Sequence, residues 1–296
     1  MDTLVDVLKN KYGLNRVKFL NRLQAKGSRE VIHFSSTEGQ WIVKMLEPER
    51  REEEVQLYTK VLKFLGHLPE RITPFILQQP KGSLYTRIGN RFLYVMEFID
   101  GDKVSENPED EYQLGVLTSR LHAVEGYQFD SNLRFKERIR NMMGWFKDKH
   151  FFSSYFRYIN NLPDFDVYQQ CLIHTDIGPH NAMKKSNGQL IFIDLDDAGV
   201  GSKYIDLGYP LICQFVRFHN GHLKFDEQNA NAFYRGYQSI YSLNEDEVEL
   251  TFQGAVFMQL MYMNSFGDNA VEAMWSILEY GLKNKELLKT AIRGKI

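Results

Sequence analysis

The chain has 296 residues, 43% of them hydrophobic and 25% charged, an ordinary globular composition with enough length to bury a large core. Its 36 basic and 38 acidic residues give a net charge of −2, which excludes a polybasic footprint for nucleic acid or an anionic membrane. The balance is uneven, with 16 basic and 11 acidic residues in the first 99 and 20 and 27 in the rest, so a basic front precedes an acidic back.

Residues 2–12 read as a short amphipathic helix closed by Gly13. Their acids stand where a signal peptide wants bases, and no stretch approaches a membrane span, so a cytoplasmic location is expected. VKFLNRLQ (17–24), REVIHFSS (29–36) and WIVKML (41–46) then read as three antiparallel strands. The first turn carries Lys26, Gly27 and Ser28, whose main chain is a candidate phosphate cradle because glycine permits close approach. Lys44 lies in the third strand between Val43 and Met45, and alternation places it opposite them. After Pro48 a helix is expected to about Leu65, capped by Gly66. Of its three glutamates only Glu54 has apolar residues at i+3, i+4 and i+7, namely Leu57, Tyr58 and Val61, so it is expected to face inward and to need a cation such as Lys44. PFILQQ, SLYTRI and RFLYVMEFI extend the sheet, with Gly89 and Asn90 in a tight turn.

The strand pattern breaks at IDGDK (99–103), which places a boundary between a lobe of residues 1–98 and one of 99–296. The fold class expected is α+β and bilobal: an antiparallel sheet with one helix in the first lobe, then a mostly helical second lobe. Its helices are expected over 109–124, a long segment 135–159, 204–218, 226–241, 245–265 and on to about 292, the fifth opening on a capping box of Asn244 and Glu247. Cys171 and Cys213 sit in apolar runs and read as buried thiols of a reducing compartment.

Within Cys171 to Leu207, two apolar runs, CLI and LIFIDL, hold His174, Asp176, Asn181, Asp194 and Asp196. Charges beside buried strands are costly unless paired, and divalent metal or phosphate is the natural partner. His174, Asp176 and Asn181 fall as H-x-D-x-x-x-x-N, the spacing of the protein-kinase catalytic loop. A hydroxyl attacking a phosphoryl group through a loose transition state needs positioning more than a strong base, so an ionised Asp suffices. An Asn carbonyl and a carboxylate are hard oxygen ligands suited to Mg²⁺.

IHTDIGPHN, IDLDDAGVGSKYIDLG and LGVLTSRLHAV together resemble the aminoglycoside phosphotransferase and choline kinase superfamily, the small-molecule relatives of protein kinases, and the likeness extends more weakly through VMEFIDGD to most of the chain. The resemblance implies Asp176 as catalytic aspartate, His174 as its brace, and Asn181, Asp194 and Asp196 as magnesium ligands. It gives Asp206 a structural role. It makes Lys44 the ligand of the ATP α/β-phosphates, with Glu54 as its ion-pair partner and Gly27 and Ser28 in the phosphate turn. Main chain near Glu97 and Ile99 would bond the adenine, with Met96 lining its pocket. Two residues depart from the family pattern: Thr175 stands where Gly is usual, and His180 where Gly is common. A β-branched residue fits that tight loop if its φ stays negative.

A metal-dependent hydrolase using His174, Asp176 and His180 is a weaker reading, since no second ligand cluster accompanies them. A non-catalytic nucleotide-binding protein on the same fold is the stronger rival. The acidic second lobe favours a cationic small-molecule acceptor, with the segment 245–265, Asp268 and Glu272 as candidate walls. The aromatic stripes around Trp145, Phe151 and Trp275 read as core. Nothing in the sequence separates ATP from GTP or signals an oligomeric state.

Overall fold

The structure is a computed structural model that describes residues 2–26, 29–130 and 132–294. Its first elements are α1 (Asp2–Tyr12), β1 (Lys18–Lys26), β2 (Arg29–Ser36), β3 (Gly39–Met45), α2 (Glu52–Gly66), β4 (Tyr85–Ile88), β5 (Arg91–Glu97) and β6 (Gly101–Lys103). There follow α3 (Pro108–His122), α4 (Phe135–Met142), α5 (Phe152–Asn161), β7 (Gln170–Ile173), β8 (Ala182–Lys185), β9 (Leu190–Phe192) and β10 (Gly199–Ser202). The chain ends with α6 (Lys203–Cys213), β11 (Val216–His219), β12 (His222–Phe225), α7 (Glu227–Gln238), α8 (Glu245–Tyr262), α9 (Asp268–Lys283) and α10 (Lys285–Ile292). Two compact units form: the chain up to Asp102 together with Met183–Asp196, and Lys103–Ala182 together with the chain from Asp197 on. This is the expected α+β class, an antiparallel-sheet lobe and a helical lobe.

In the first unit the five-stranded antiparallel sheet has the order β1-β2-β3-β5-β4. Strand alternation sorts its faces. Ile32, Phe34, Trp41, Val43, Leu93 and Val95 form one core with Leu4, Leu8 and Tyr12 of α1. The other face carries Val31 opposite Lys44, Lys44 opposite Tyr94 and Ile42 opposite Met96. Helix α2 packs on that second face, with the Tyr58 and Tyr94 rings edge-to-face at 5.7 Å. Two details differ from expectation. PFILQQ contributes only a bridge from Ile76 to Met96, and α2 starts at Glu52, after its N-cap Arg51, rather than at Pro48.

The second unit packs helices at glycines. A Cβ on Gly208 of α6 would lie 2.2 Å from Ala255 N, and one on Gly254 of α8 2.0 Å from Tyr204 O, so the two backbones touch and α6 is held in one place. The expected long helix 135–159 is instead α4 and α5, broken around Gly144 and Phe146, whose φ is +57°. The expected helix to 218 stops at Cys213. His219 and His222 then face each other in an exposed hairpin turned by Asn220 and Gly221, both at positive φ. Asn244 and Glu247 do form their reciprocal cap. Phe151 and Trp275 of the aromatic stripe are core, buried and stacked at 4.5 Å, whereas Trp145 is only partly buried. Both cysteines are free thiols. Among the described residues no helix is long and apolar enough to cross a membrane.

Candidate active site

In the first unit Lys44 is buried, its Nζ 2.7 Å from Asp194 Oδ1 and 2.8 Å from Asp196 Oδ2. Burial works against its charge, but the two carboxylates outweigh that effect and raise the ammonium's pKa above its ordinary value. Asp196 is buried too and accepts from the Tyr94 hydroxyl at 2.6 Å. Burial beside Asp196 pushes the Tyr94 phenol far up, so it remains a donor. A second cation joins them. Arg29 Nε donates to Glu47 Oε1 at 2.8 Å, and its Nη1 lies 3.5 Å from Asp194 and 3.6 Å from Asp196.

The expected pair of Lys44 with Glu54 is not formed. Glu54 occupies the third position of α2, where its carboxylate accepts from the Arg51 main-chain N–H at 3.3 Å and from the Arg51 guanidinium at 2.6 Å. The start of α2, where main-chain N–H groups lack helical partners, outcompetes an inward turn of Glu54. Gly27 and Ser28 lie outside the described residues. Met96 is buried opposite Ile42 of β3, and Ile99 is buried past the end of β5. The Glu97 main-chain N–H donates to Phe75 O, and its carboxylate holds Arg71 at 2.7 Å.

In the second unit β7 pairs antiparallel with β10 and delivers the loop that starts at His174. The buried Asp206 of α6 pins that loop: its carboxylate accepts from the main-chain N–H of His174 at 2.8 Å and of Thr175 at 2.6 Å. His122 Nε2 is 2.9 Å from the same carboxylate, and His122 Nδ1 is 3.1 Å from the Tyr237 hydroxyl. Thr175 has φ +72°, which corrects the expectation of a negative φ. The left-handed conformation costs a β-branched residue about 1–2 kcal/mol, and two hydrogen bonds to one carboxylate hold it there.

Past that pin, Asn181 Nδ2 donates to Asp176 O at 2.8 Å and to Asp176 Oδ2 at 2.9 Å. His180 Nε2 lies 3.5 Å from Asp176 Oδ1. Burial tends to raise the Asp176 pKa, but hydrogen bonds from His180 and Tyr209 and the nearby imidazoles hold it well below the usual carboxylate value. Asp176 is therefore an ionised, half-exposed carboxylate with a fixed orientation. His174 braces the loop, its Nδ1 accepting the Asp176 N–H at 3.4 Å. Tyr209 meets Tyr262 edge-to-face at 5.7 Å, and Tyr262 meets Phe266 at 5.0 Å, so an aromatic row runs away from Asp176. Glu272 approaches His150 at 3.6 Å, while the Asp268 side chain lies outside what is described.

Sequence reasoning missed Arg29, Glu47, Tyr94, His122 and Tyr209. Parity was the available signal: Arg29 is two residues before Val31, which faces Lys44, and Tyr209 is one helical turn past Asp206. Among the described residues no group of three or more His, Cys, Asp or Glu side chains is arranged to hold a metal, and the hydrolase ligand set is not assembled. The donors that are present, one or two carboxylates and an amide carbonyl, match what Mg²⁺ takes from a protein when substrate phosphates complete its shell.

A kinase-like fold with an ionised loop aspartate and a lysine–carboxylate pair defines the chain as a phosphotransferase. Residues 20–243 match the model of the phosphotransferase enzyme family, and the chain belongs to that family. No curated protein matches it in sequence. Solved structures are similar in fold at low identity. The amicoumacin kinase hAmiN in complex with AMP-PNP, Ca²⁺ and Ami is 15% identical with a TM-score of 0.70, over 97% of this chain and 94% of that one. Spectinomycin phosphotransferase APH(9)-Ia, in complex with ADP and spectinomycin, is 15% identical with a TM-score of 0.56, over 99% and 98%. A microcompartment-associated aminopropanol kinase is 14% identical with a TM-score of 0.62, over 97% and 99%.

Proposed function

We propose that the protein transfers the γ-phosphate of ATP to a hydroxyl group of a small amine-bearing acceptor, an amino alcohol, amino sugar or aminoglycoside-like molecule, with Mg²⁺ as its metal and in the cytoplasm. The single observation that carries this reading is Asp176: its carboxylate is ionised, oriented by Asn181 and presented by a loop that Asp206 pins. Such a group accepts a hydroxyl proton as the phosphoryl bond forms, and a loose transition state asks no stronger base. Lys44 holds the α/β-phosphates, leaving its carboxylate partners as nucleotide enters. The family resemblance assigns Asn181, Asp194 and Asp196 to Mg²⁺, whose charge would neutralise the phosphates. Met96 and the main chain at Glu97 and Ile99 are assigned to the adenine.

The acceptor class rests on two features of the second unit. Its acids outnumber its bases, and the partly buried Tyr262 and Phe266, in the aromatic row that begins at Tyr209 beside Asp176, are aromatic groups of the kind that receive a cation. The spectinomycin phosphotransferase and the aminopropanol kinase named above support this class.

The test is ATP consumption with Mg²⁺ against choline, ethanolamine, homoserine, aminoglycosides and neutral sugars, with product phosphate located by mass and NMR. Phosphorylation of an amine-bearing alcohol and not of its neutral analogue is expected. Nucleotide-dependent thermal stabilisation with no acceptor turned over would favour the rival, a non-catalytic nucleotide-binding protein.

A further inference from the structure

The turn between β1 and β2 holds a single glycine, Gly27, where a phosphate-gripping loop built from main-chain N–H groups wants several. The residue that opens β2 immediately after it is Arg29. Strand parity puts Arg29 on the Lys44 face: Val31 lies opposite Lys44, and Arg29 is two residues before Val31. Its guanidinium is anchored on one edge and loosely engaged on the other. Nε makes a close hydrogen bond to Glu47 at 2.8 Å, whereas Nη1 stands 3.5 and 3.6 Å from Asp194 and Asp196, beyond good N–H···O geometry. Those carboxylates are already met by Lys44 at 2.7 and 2.8 Å. Two protein cations thus converge on the carboxylates assigned to the metal, and one of them is held by a third acid that belongs to neither.

We propose that Arg29, braced by Glu47, is a phosphate-contact residue that grips the terminal phosphate of the nucleotide with its side chain. The inference rests on the nucleotide reading given above. Asp194 and Asp196 would be the carboxylates that hold a cation, leaving Nη1 of Arg29 without them, and phosphate oxygens would be the acceptors its planar fork fits. Glu47 keeps the guanidinium in place through that exchange, since its bond is to Nε and not to the edge that moves. Lys44 cannot substitute: its ammonium is committed to the inner phosphates and is a point charge without a fork.

The experiment is calorimetric titration of AMP, ADP and the non-hydrolysable analogue AMP-PNP, each with Mg²⁺, into the full-length wild type, Arg29→Gln and Arg29→Lys. Wild type is expected to bind AMP-PNP more tightly than ADP. In Arg29→Gln the AMP-PNP affinity should fall about tenfold or more, the value of one charge-assisted hydrogen bond, with ADP falling far less and AMP unmoved. Arg29→Lys should fall between wild type and Arg29→Gln, and it carries the test if the glutamine variant does not fold. Equal losses for all three nucleotides, or none, would overturn the inference while leaving the nucleotide reading intact. A wild type that binds none of the three would overturn both.

Discussion

Asp206 is the residue on which the placement of Asp176 depends, and its removal has a calculable cost. Its buried carboxylate accepts two main-chain N–H groups, at 2.8 and 2.6 Å, and faces His122 Nε2 at 2.9 Å. Asp206→Ala leaves those main-chain donors buried without an acceptor, at about 1–3 kcal/mol each, and strips support from the left-handed Thr175, worth about 1–2 kcal/mol more. These terms share one site and do not add in full, so a loss of about 3–5 kcal/mol is expected, a large part of the stability of an ordinary domain. Asp206→Asn keeps one oxygen acceptor and presents an amide N–H₂ to the other donor, so about half that loss should follow. Urea unfolding at constant m separates the three proteins by their midpoints. Thr175→Gly supplies a check on the mechanism: glycine removes the left-handed strain, so the variant should be no less stable than wild type and should recover part of the loss in the Asp206→Ala background. If Asp206→Ala lost less than about 1 kcal/mol, or Thr175→Gly were strongly destabilising, the loop would not be held as described.

Two further predictions concern groups away from that pin. Glu54→Ala should cost at most about 1 kcal/mol, the worth of a helix cap, and leave nucleotide affinity unchanged, whereas Lys44→Met should abolish ATP-dependent thermal stabilisation; equal effects of the two on nucleotide binding would restore the Lys44–Glu54 pair. Glu111 of α3 is buried, one of its oxygens accepting from Gln214 at 2.9 Å, and burial raises its pKa to about 8 despite Arg217. A carboxyl whose folded pKa lies above its unfolded value binds its proton more tightly when folded. Stability is therefore full below the unfolded value and falls as pH rises toward 8, by at most about 1.4 kcal/mol per pH unit. Glu111→Gln should flatten that fall in urea midpoints taken between pH 5 and 8, and an unchanged slope would refute the assignment.

Much of this was legible in the residues. Strand alternation, the tight turns and the spacing of His174, Asp176 and Asn181 are local signals, and they led to the fold class, to the loop and to Asp194. What stayed hidden were choices settled by tertiary competition. Glu54 satisfies the pattern of an inward residue, yet the unpaired main chain at the start of α2 claims it. Thr175 looks unsuited to positive φ, and it takes it because Asp206, thirty-one residues later, provides two hydrogen bonds that repay the strain. The break between α4 and α5 was obscured because aromatic residues at helical spacing fit a helix and a packed turn equally well. Arg29 and Tyr209 carry no motif at all and become visible only once their neighbours are placed.

Phosphate transfer as proposed requires Asp176 to accept the proton of the acceptor hydroxyl. The most direct test compares wild type with Asp176→Asn, measuring phosphate transfer to an acceptor found in the panel and AMP-PNP affinity on the same preparations. Transfer is expected to fall by about a thousandfold or more with nucleotide affinity and unfolding midpoint little changed, because the substitution removes a proton acceptor and keeps the shape. An Asp176→Asn protein that retained full transfer would contradict it.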